Sequence, residues 1–353
     1  MQVAGALRDM AAAQRSRERQ RAYTKAADAI RDLDRRIDTC VLPGGGLDPI
    51  PHVGPSSTRV ILQMLESGQS AIVEAAVDES GLRAEVAKRR ALRDHFLSRV
   101  AATAVLTAGG TDVVCQGDLQ MHSTYSDGVQ SLSDIVEGCL ARGYHYAAVT
   151  DHSAGLPIAN GLSLTRLRAQ AQEIASVNKR YKGRFTLLRG VEANTRADGE
   201  VDVPPDQRSE LDIVVAAPHS GLQSPADQTA RMLTTVNTPG VHILGHPRGR
   251  KYDSRRGIVA NWTTVFKAAA KSGVAIELDG DPSRQDLDCS LAADALSFGC
   301  LFALDSDAHA VSQLAYTDIA RAHALIAGIP ADRIVNCWPL ERLLEWAEAR
   351  RDG

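Results

Sequence analysis

LDIVVAAPH, residues 211–219, is a short run of Ile, Val and Ala closed by a histidine. Five other runs in the last two-thirds of the chain share that form: VVCQGDLQMH (113–122), YAAVTDH (146–152), FTLLRGVE (185–192), VHILGH (241–246) and CLFALDSDAH (300–309). Each is short and rich in aliphatic side chains, as a strand buried on both faces must be. Each ends on His or Glu, residue types that bind metal. Between the runs, Ser133–Arg142, Thr165–Lys182 and Trp262–Ser272 read as helices at strand–helix spacing. Parallel strands closed into a barrel bring the side chains at their carboxyl ends to one face, and that face carries the chemistry. One strand-end histidine means little, whereas six such ends predict a multinuclear metal site.

The rest of the chain narrows the alternatives. Its 353 residues exceed one average domain and fit one large barrel with a small appendage. Apolar residues make up 44% and charged residues 24%, the balance of a globular protein. No run approaches the roughly 18 apolar residues of a membrane span, and MQVAGALRDMAAAQRSRERQ is too polar for a signal peptide. Six cysteines, at 40, 115, 139, 289, 300 and 337, form no CxxC pair. That spacing points away from disulfides and thiolate zinc sites, and toward a reducing cytoplasm. The net charge of −3 is unevenly divided: residues 1–110 hold 16 Lys/Arg against 13 Asp/Glu, and residues 111–353 hold 24 against 30. Lys88-Arg89-Arg90 with Arg93 reads either as a phosphate-contacting cluster or as a solvated helix face.

Residues 1–39 read as helical without breakers, and VLPGGGLDPIP (41–51) as a Gly/Pro-dense break. In HVGPSSTRVILQMLESG (52–68) a helix begins at Pro55 or Ser56 and stops near Gly68. A further helical stretch is expected over 71–108. AGGT at 108–111 then divides a small helical domain, 1–110, from the barrel, 111–353. IPHVGPSSTRVIL (50–62) resembles a helix–hairpin–helix turn, usually Leu-Pro-Gly-Val-Gly followed by a helix. Over residues 10–100 the likeness extends loosely to the small DNA-binding domain that opens family X DNA polymerases. It implies backbone N–H groups turned toward a DNA phosphate, with DNA as a partner. His52 stands where the motif's first Gly belongs, and Thr58 where Ala is usual. A side chain at 52 fills space needed for close backbone approach. The alternative is a helical cap that only packs on the barrel.

GDLQMHSTYSDG (117–128), TDH (150–152), GVEAN (190–194), APHS (217–220), GHP (245–247) and SDAH (306–309) come in an order that resembles the PHP (polymerase and histidinol phosphatase) family over residues 112–345. The version at the C-terminus of bacterial family X polymerases is nearest. LGHPRGR, LDGDPSRQDLD and RIVNCWPLERLLEW also fit that subgroup. The resemblance implies an α/β fold, a distorted seven-stranded (β/α) barrel, with two or three divalent ions (Zn, Mn or Fe). One ion would take the first position of the HxH motif, His122, Glu192 and Asp307. A second would share Glu192 and add His219 and His246. A third would take Asp127, His152 and His309. Imidazole mixed with carboxylate suits Zn²⁺, Mn²⁺ or Fe²⁺.

The HxH motif reads Gln120-Met121-His122, so its first His is replaced by a neutral amide, a poorer zinc ligand. Either that site tolerates Gln120, or the protein works with two metals, or activity is lost. Glu192, Asp307 and His309 are the expected catalytic positions. Ser123, Ser126 and Ser306 read as donors that orient the ligands. Arg250 and Arg284 are the phosphate-gripping residues implied by the subgroup, with Arg248 and Lys251 as further candidates. His95, His145 and His242 match nothing, and His242, in mid-strand, reads as structural.

Hydroxide generated at clustered cations needs no serine or cysteine nucleophile. The leading expectation is a metal-dependent phosphoesterase acting on DNA ends, as a 3′–5′ exonuclease or 3′-phosphatase. The interval before the barrel has no room for a polymerase palm and no Asp-x-Asp strand pair, so DNA synthesis is not expected. A phosphatase of histidinol-phosphate type and a non-catalytic DNA-binding protein with a decayed metal site are the alternatives.

Overall fold

The computed structural model describes residues 1–109 and 113–351. It divides into two compact units: Met1–Ala104 with Lys251–Arg255, and Val105–Arg250 with the residues from Arg256 onward. The boundary expected at 110/111 lies outside the described residues.

In the larger unit seven strands pair in chain order, every neighbour parallel. They are β1 (Gly117–Asp118), β2 (Tyr146–Val149), β3 (Thr186–Thr195), β4 (Ile213–Pro218), β5 (Ile243–Leu244), β6 (Ala275–Asp279) and β7 (Leu301–Asp305). Past the strand ends the sheet meets itself. Met121 bridges Ala308 in parallel, and the His122 N–H donates to the Ala308 carbonyl at 2.8 Å. The result is a nearly closed seven-stranded barrel with helices in its crossovers. Five strands lie within their runs, and β3 begins within the run 185–192 but continues past Glu192 to Thr195. The seventh, β6 (AIELD), carries acids but no histidine, so it did not stand out.

The crossover helices begin where local chemistry predicts. Ser131 and Asp134 form a reciprocal capping box at Leu132–Ala141. Ser163 caps Leu164–Arg180, and Asn261 caps Trp262–Ser272, which ends at Gly273 with φ 72°. Strand alternation sends Tyr146 and Ala148, Ile213 and Val215 to one cluster that Trp338, Leu343 and Ala347 complete. Ala147 and Val149 join the cluster formed with the crossover helices. Helix Leu340–Ala349 thus packs its apolar stripe on the first cluster, each fully buried Leu contributing about 1.5–3 kcal/mol. His242 is buried there, accepting from the Val214 N–H (2.9 Å) through Nδ1 and donating to the Ala347 carbonyl (2.9 Å) through Nε2. Burial pushes its pKa down to about 4, so it is a neutral structural group.

The smaller unit holds helices Gln2–Ala13, Arg17–Arg31, Pro55–Ser67, Ala71–Ser80 and Arg83–Arg90 around Leu7, Tyr23, Ile30, Val60, Ile61, Val73 and Val77. The uninterrupted helix expected over 1–39 is instead split at 14–16, where Ser16 caps the second helix. The stretch expected over 71–108 is split at Gly81 (φ 72°) and again at 94–98. Helix formers dominate both stretches, which hid these breaks. The hairpin helix does begin at Pro55, after Gly54, and ends at Gly68 in the left-handed region. His52 has φ 64°, so it adopts the backbone conformation that the motif's usual glycine favours. The basic cluster is engaged in ion pairs: Arg90 with Asp9 (2.7 Å) and Glu74 (2.6 Å), and Arg93 with Asp9 and Asp253 (each 2.5 Å).

Candidate metal centre

The larger unit gathers its strand-end residues around one carboxylate. Glu192, on β3 and 1% exposed, has Oε1 at 2.9 Å from His246 Nε2 and 3.2 Å from His219 Nε2. Its Oε2 lies 3.0 Å from His152 Nδ1 and 3.4 Å from His122 Nε2. Four imidazoles from the ends of β1, β2, β4 and β5 therefore meet one buried acid. Asp307 Oδ1 is 3.0 Å from His122 Nε2. Asp127 Oδ1 stands 3.5 Å from His309 Nε2, 3.7 Å from His152 Nε2 and 4.0 Å from His122 Nδ1. The His122 ring stacks on those of His152 and His309, with centroids 4.4 and 4.3 Å apart.

Ligand-grade atoms draw together in three overlapping sets: His122, Asp127, His152 and His309; His152, Glu192 and His219; His122, Glu192 and Asp307. The shared members, His122, His152 and Glu192, join the three sets into one cluster. The donor set of imidazole and carboxylate fits Zn²⁺, Mn²⁺ or Fe²⁺. Orphaned atoms point the same way. The Nδ1 of His122 and of His246, and both polar atoms of the Gln120 amide, are buried without a hydrogen-bond partner among the described residues. Buried polar groups are rarely left so. Gln120 itself is fully buried, and its Oε1 lies 3.3 Å from where a Cβ on Gly245 would stand. Two positions hold left-handed backbone, His246 at φ 23° and Asp307 at φ 51°, strain of the kind that concentrates at functional sites.

The electrostatics are those of a cation site. Burial pushes the Glu192 carboxyl up, but the charges and hydrogen bonds of His152 and His219 outweigh it and hold the group well below the usual range. Asp127 is held at about 2: burial opposes ionisation, and His309, His152 and His122 overcome it. His309 is correspondingly raised to about 9; burial lowers it, and Asp127 and Asp307 more than compensate. Burial likewise opposes ionisation of Asp307, yet Arg284 and His122 pull it down.

Several groups around this centre were not anticipated. Asp151, the middle of TDH, accepts from Ser123 N (2.8 Å) and Oγ (2.5 Å), Ser126 N (3.1 Å) and Oγ, and Gln170. Ser123 thus anchors its loop through Asp151, although Ser126 Oγ also donates to Asp127 at 3.2 Å. Ser306 turns to Asp118, to which its N–H donates at 3.3 Å. Glu277 on β6 accepts the His246 N–H. Its neighbour Asp279 lies 3.7 Å from Arg284.

The four basic candidates are placed differently. Arg284 reaches the centre, with Nη1 2.7 Å from Asp307 Oδ2 and a side chain 26% exposed. Arg248 and Arg250 both pair with Asp288, at 2.9 and 2.8 Å, and Arg250 is buried. Lys251 belongs with the smaller unit and is exposed.

The larger unit is thus a seven-stranded parallel barrel with a His/Asp/Glu cluster gathered at one end of its strands. Residues 1–70 match the helix-hairpin-helix domain family. A DNA polymerase/3'-5' exonuclease, PolX of Bacillus subtilis (strain 168), is 38% identical over 200 residues, covering 56% of this chain and 35% of that protein. The chain thus spans about a third of that relative's length. A probable phosphatase, YcdX of Escherichia coli O139:H28, is 29% identical over 245 residues, covering 66% of this chain and 94% of that protein. A histidinol phosphate phosphatase from Lactococcus lactis, solved with zinc, L-histidinol and phosphate, aligns with TM-score 0.42 and 18% identity over 59% of this chain and 93% of that one. The chain is thus similar to a polymerase/exonuclease and to a probable phosphatase, and its residues 1–70 match a helix-hairpin-helix domain.

Proposed function

We propose that this protein hydrolyses phosphate esters at the ends of DNA, as a 3′–5′ exonuclease or 3′-phosphatase. The carrying observation is the convergence of His122, His152, His219 and His246 on buried Glu192, with Asp307, Asp127 and His309 beside it. Gln120, His122, Glu192 and Asp307 would hold one divalent ion; Glu192, His219 and His246 a second; Asp127, His152 and His309 a third. Bound there, divalent cations supply a water of lowered pKa and offset phosphate charge.

The chain's own residues do the rest. Glu192 keeps negative charge at the centre, and Asp307 stays anionic against Arg284. Asp151 fixes the loop that presents His122 and Asp127, and Glu277 fixes the backbone of His246. Arg284 is the cation at the centre with solvent access, suited to a non-bridging phosphate oxygen. DNA as the substrate rests on the helix–hairpin–helix match at 1–70 and the likeness to a polymerase/exonuclease.

A phosphatase for small monoesters is the second reading. It is favoured by the match of 66% of this chain to nearly the whole length of a probable phosphatase. The deciding experiment compares kcat/KM for a 3′-hydroxyl oligonucleotide, a 3′-phosphorylated oligonucleotide and p-nitrophenyl phosphate, with Mn²⁺ or Zn²⁺ added. Higher efficiency on either DNA end supports the proposal. Turnover of the monoester alone replaces it with the second reading.

A further inference from the structure

The pairing of β3 with β4 stops just short of the metal centre. Its last register pair is Thr195 with Pro218, immediately before His219. Past that pair the ladder no longer sets how far the two strand ends stand apart. Yet His219 has to meet two groups on β3 at once. Its Nε2 lies 3.2 Å from Glu192 Oε1, and its Nδ1 lies 3.2 Å from Asn194 Oδ1.

Arg231, on helix Thr229–Val236, takes over where the ladder ends. Its Nη2 donates to the Thr195 carbonyl at 2.6 Å, and its Nε to the Arg196 carbonyl at 2.7 Å. Its Nη1 donates to the Ser220 carbonyl at 2.7 Å and to Gln228 Oε1 at 2.8 Å. Thr195 follows Asn194, and Ser220 follows His219, so one guanidinium grips both strand ends beside the Asn194–His219 contact. The turn after β3 is pressed on the same helix. A Cβ on Gly199, at φ 91°, would stand 2.3 Å from the Arg231 carbonyl, and Thr235 Oγ1 donates to the Gly199 carbonyl at 3.0 Å.

Arg231 is 4% exposed, and each of these acceptors is a neutral oxygen. Burying a cation in such surroundings is costly, and well-packed apolar side chains often serve stability as well or better. What the guanidinium supplies is a rigid planar fork of five N–H donors, and hence a fixed spacing between the carbonyls it holds. We propose that Arg231 is a positioning residue for His219, fixing its ring between Asn194 and Glu192 so that Nε2 is aimed at the ion that Glu192, His219 and His246 would hold. The inference rests on the metal-centre reading and is independent of which phosphate ester is the substrate. Without the fork, the ladder ends at Pro218 and the histidine beyond it loses its alignment.

The test is titration with Zn²⁺ and with Mn²⁺ of the full chain, unmutated and as Arg231→Ala, His219→Ala and the double variant, below the melting temperature of each. Arg231→Ala should weaken one ion by about 10–100-fold, the usual cost of losing an outer partner. Added to His219→Ala, the same change should cost nothing further, because the ligand it positions is gone. Guanidinium chloride should restore part of the affinity of Arg231→Ala and none of that of His219→Ala. Arg231→Lys, which keeps the charge without the planar fork, carries the same cycle if Arg231→Ala does not fold. An unchanged isotherm in Arg231→Ala, or an equal loss with and without His219, overturns the proposal; the second result would make Arg231 a general support of the fold. An unmutated chain that binds no ion rejects the metal-centre reading, and this inference with it. The expected cycle in a chain that hydrolyses no phosphate ester keeps the positioning role and rejects the proposed function alone.

Discussion

Glu192 on β3 and Glu277 on β6 are the same residue at nearly the same burial, 1% and 0% exposed, on strands of one barrel. Their carboxyls are shifted in opposite directions. Burial pushes both carboxyls up. Around Glu192 that push is overcome by imidazoles, and the group stays an anion. Around Glu277 it is reinforced by Asp279 and Asp305, so the group keeps its proton far above the usual carboxylate range. Desolvation sets the cost of a buried charge, and the partners decide whether it is met. The anion is fitted to hold cations, and the neutral acid is fitted to hold the backbone of a neighbouring ligand.

The largest effect should come from erasing the difference at its charged end. Glu192→Gln removes the negative charge from among four imidazoles. Metal content and hydrolysis should fall by more than the ~10–100-fold usual for losing an outer partner. Metal per chain and kcat check this, and equal residual activity in Glu192→Gln and Asp127→Ala would break its central role. At the neutral end, Glu277→Ala deprives the His246 N–H of its acceptor, and metal affinity should drop within that ~10–100-fold range. Glu277→Gln keeps an acceptor without charge and should stay near wild type in metal titrations; harm equal to that of Ala would show that Glu277 works as an anion.

Gln120→His extends the imidazole ring around Glu192. It should tighten Zn²⁺ more than Mn²⁺, read as ions bound per chain at matched free concentration. Identical isotherms would place residue 120 outside the ligand set. The smallest effect concerns His242, buried neutral with a pKa near 4. Below about 6.5 the unfolded chain takes up a proton that folded His242 refuses. Its stabilisation, measured by denaturant against His242→Gln, is therefore full above pH 6.5 and declines toward pH 4, at roughly 1.4 kcal/mol per unit. A difference independent of pH would show that His242 is not held neutral.

Much of this contrast was legible along the chain, and its legible parts are local. Runs of aliphatic residues marked six strands, and strand–helix spacing placed Trp262–Ser272, which Asn261 and Gly273 bound in the fold. Pro55 and Gly68 likewise bound the hairpin helix. β6 escaped notice because AIELD ends in acids that look like any solvated pair, and nothing local reveals that they are fully buried. Position next to a ligand casts Ser123, Ser126 and Ser306 as its donors, whereas Ser123 and Ser306 act on Asp151 and Asp118, acids whose position depends on folds in other segments.

Periodicity, caps and strand-end residue types act over one turn or one pleat, so the order of elements and the kinds of ligand follow from residues 113–309 read as text. Which histidines share Glu192, and that its acidic neighbours push Glu277 up, follow only once parallel pairing and the Met121–Ala308 bridge close the barrel. The left-handed backbones of His52, His246 and Asp307 belong to that second group. Spacing rules see neighbours in sequence. Charge and strain depend on neighbours in space, brought together by contacts between segments at opposite ends of the barrel's chain.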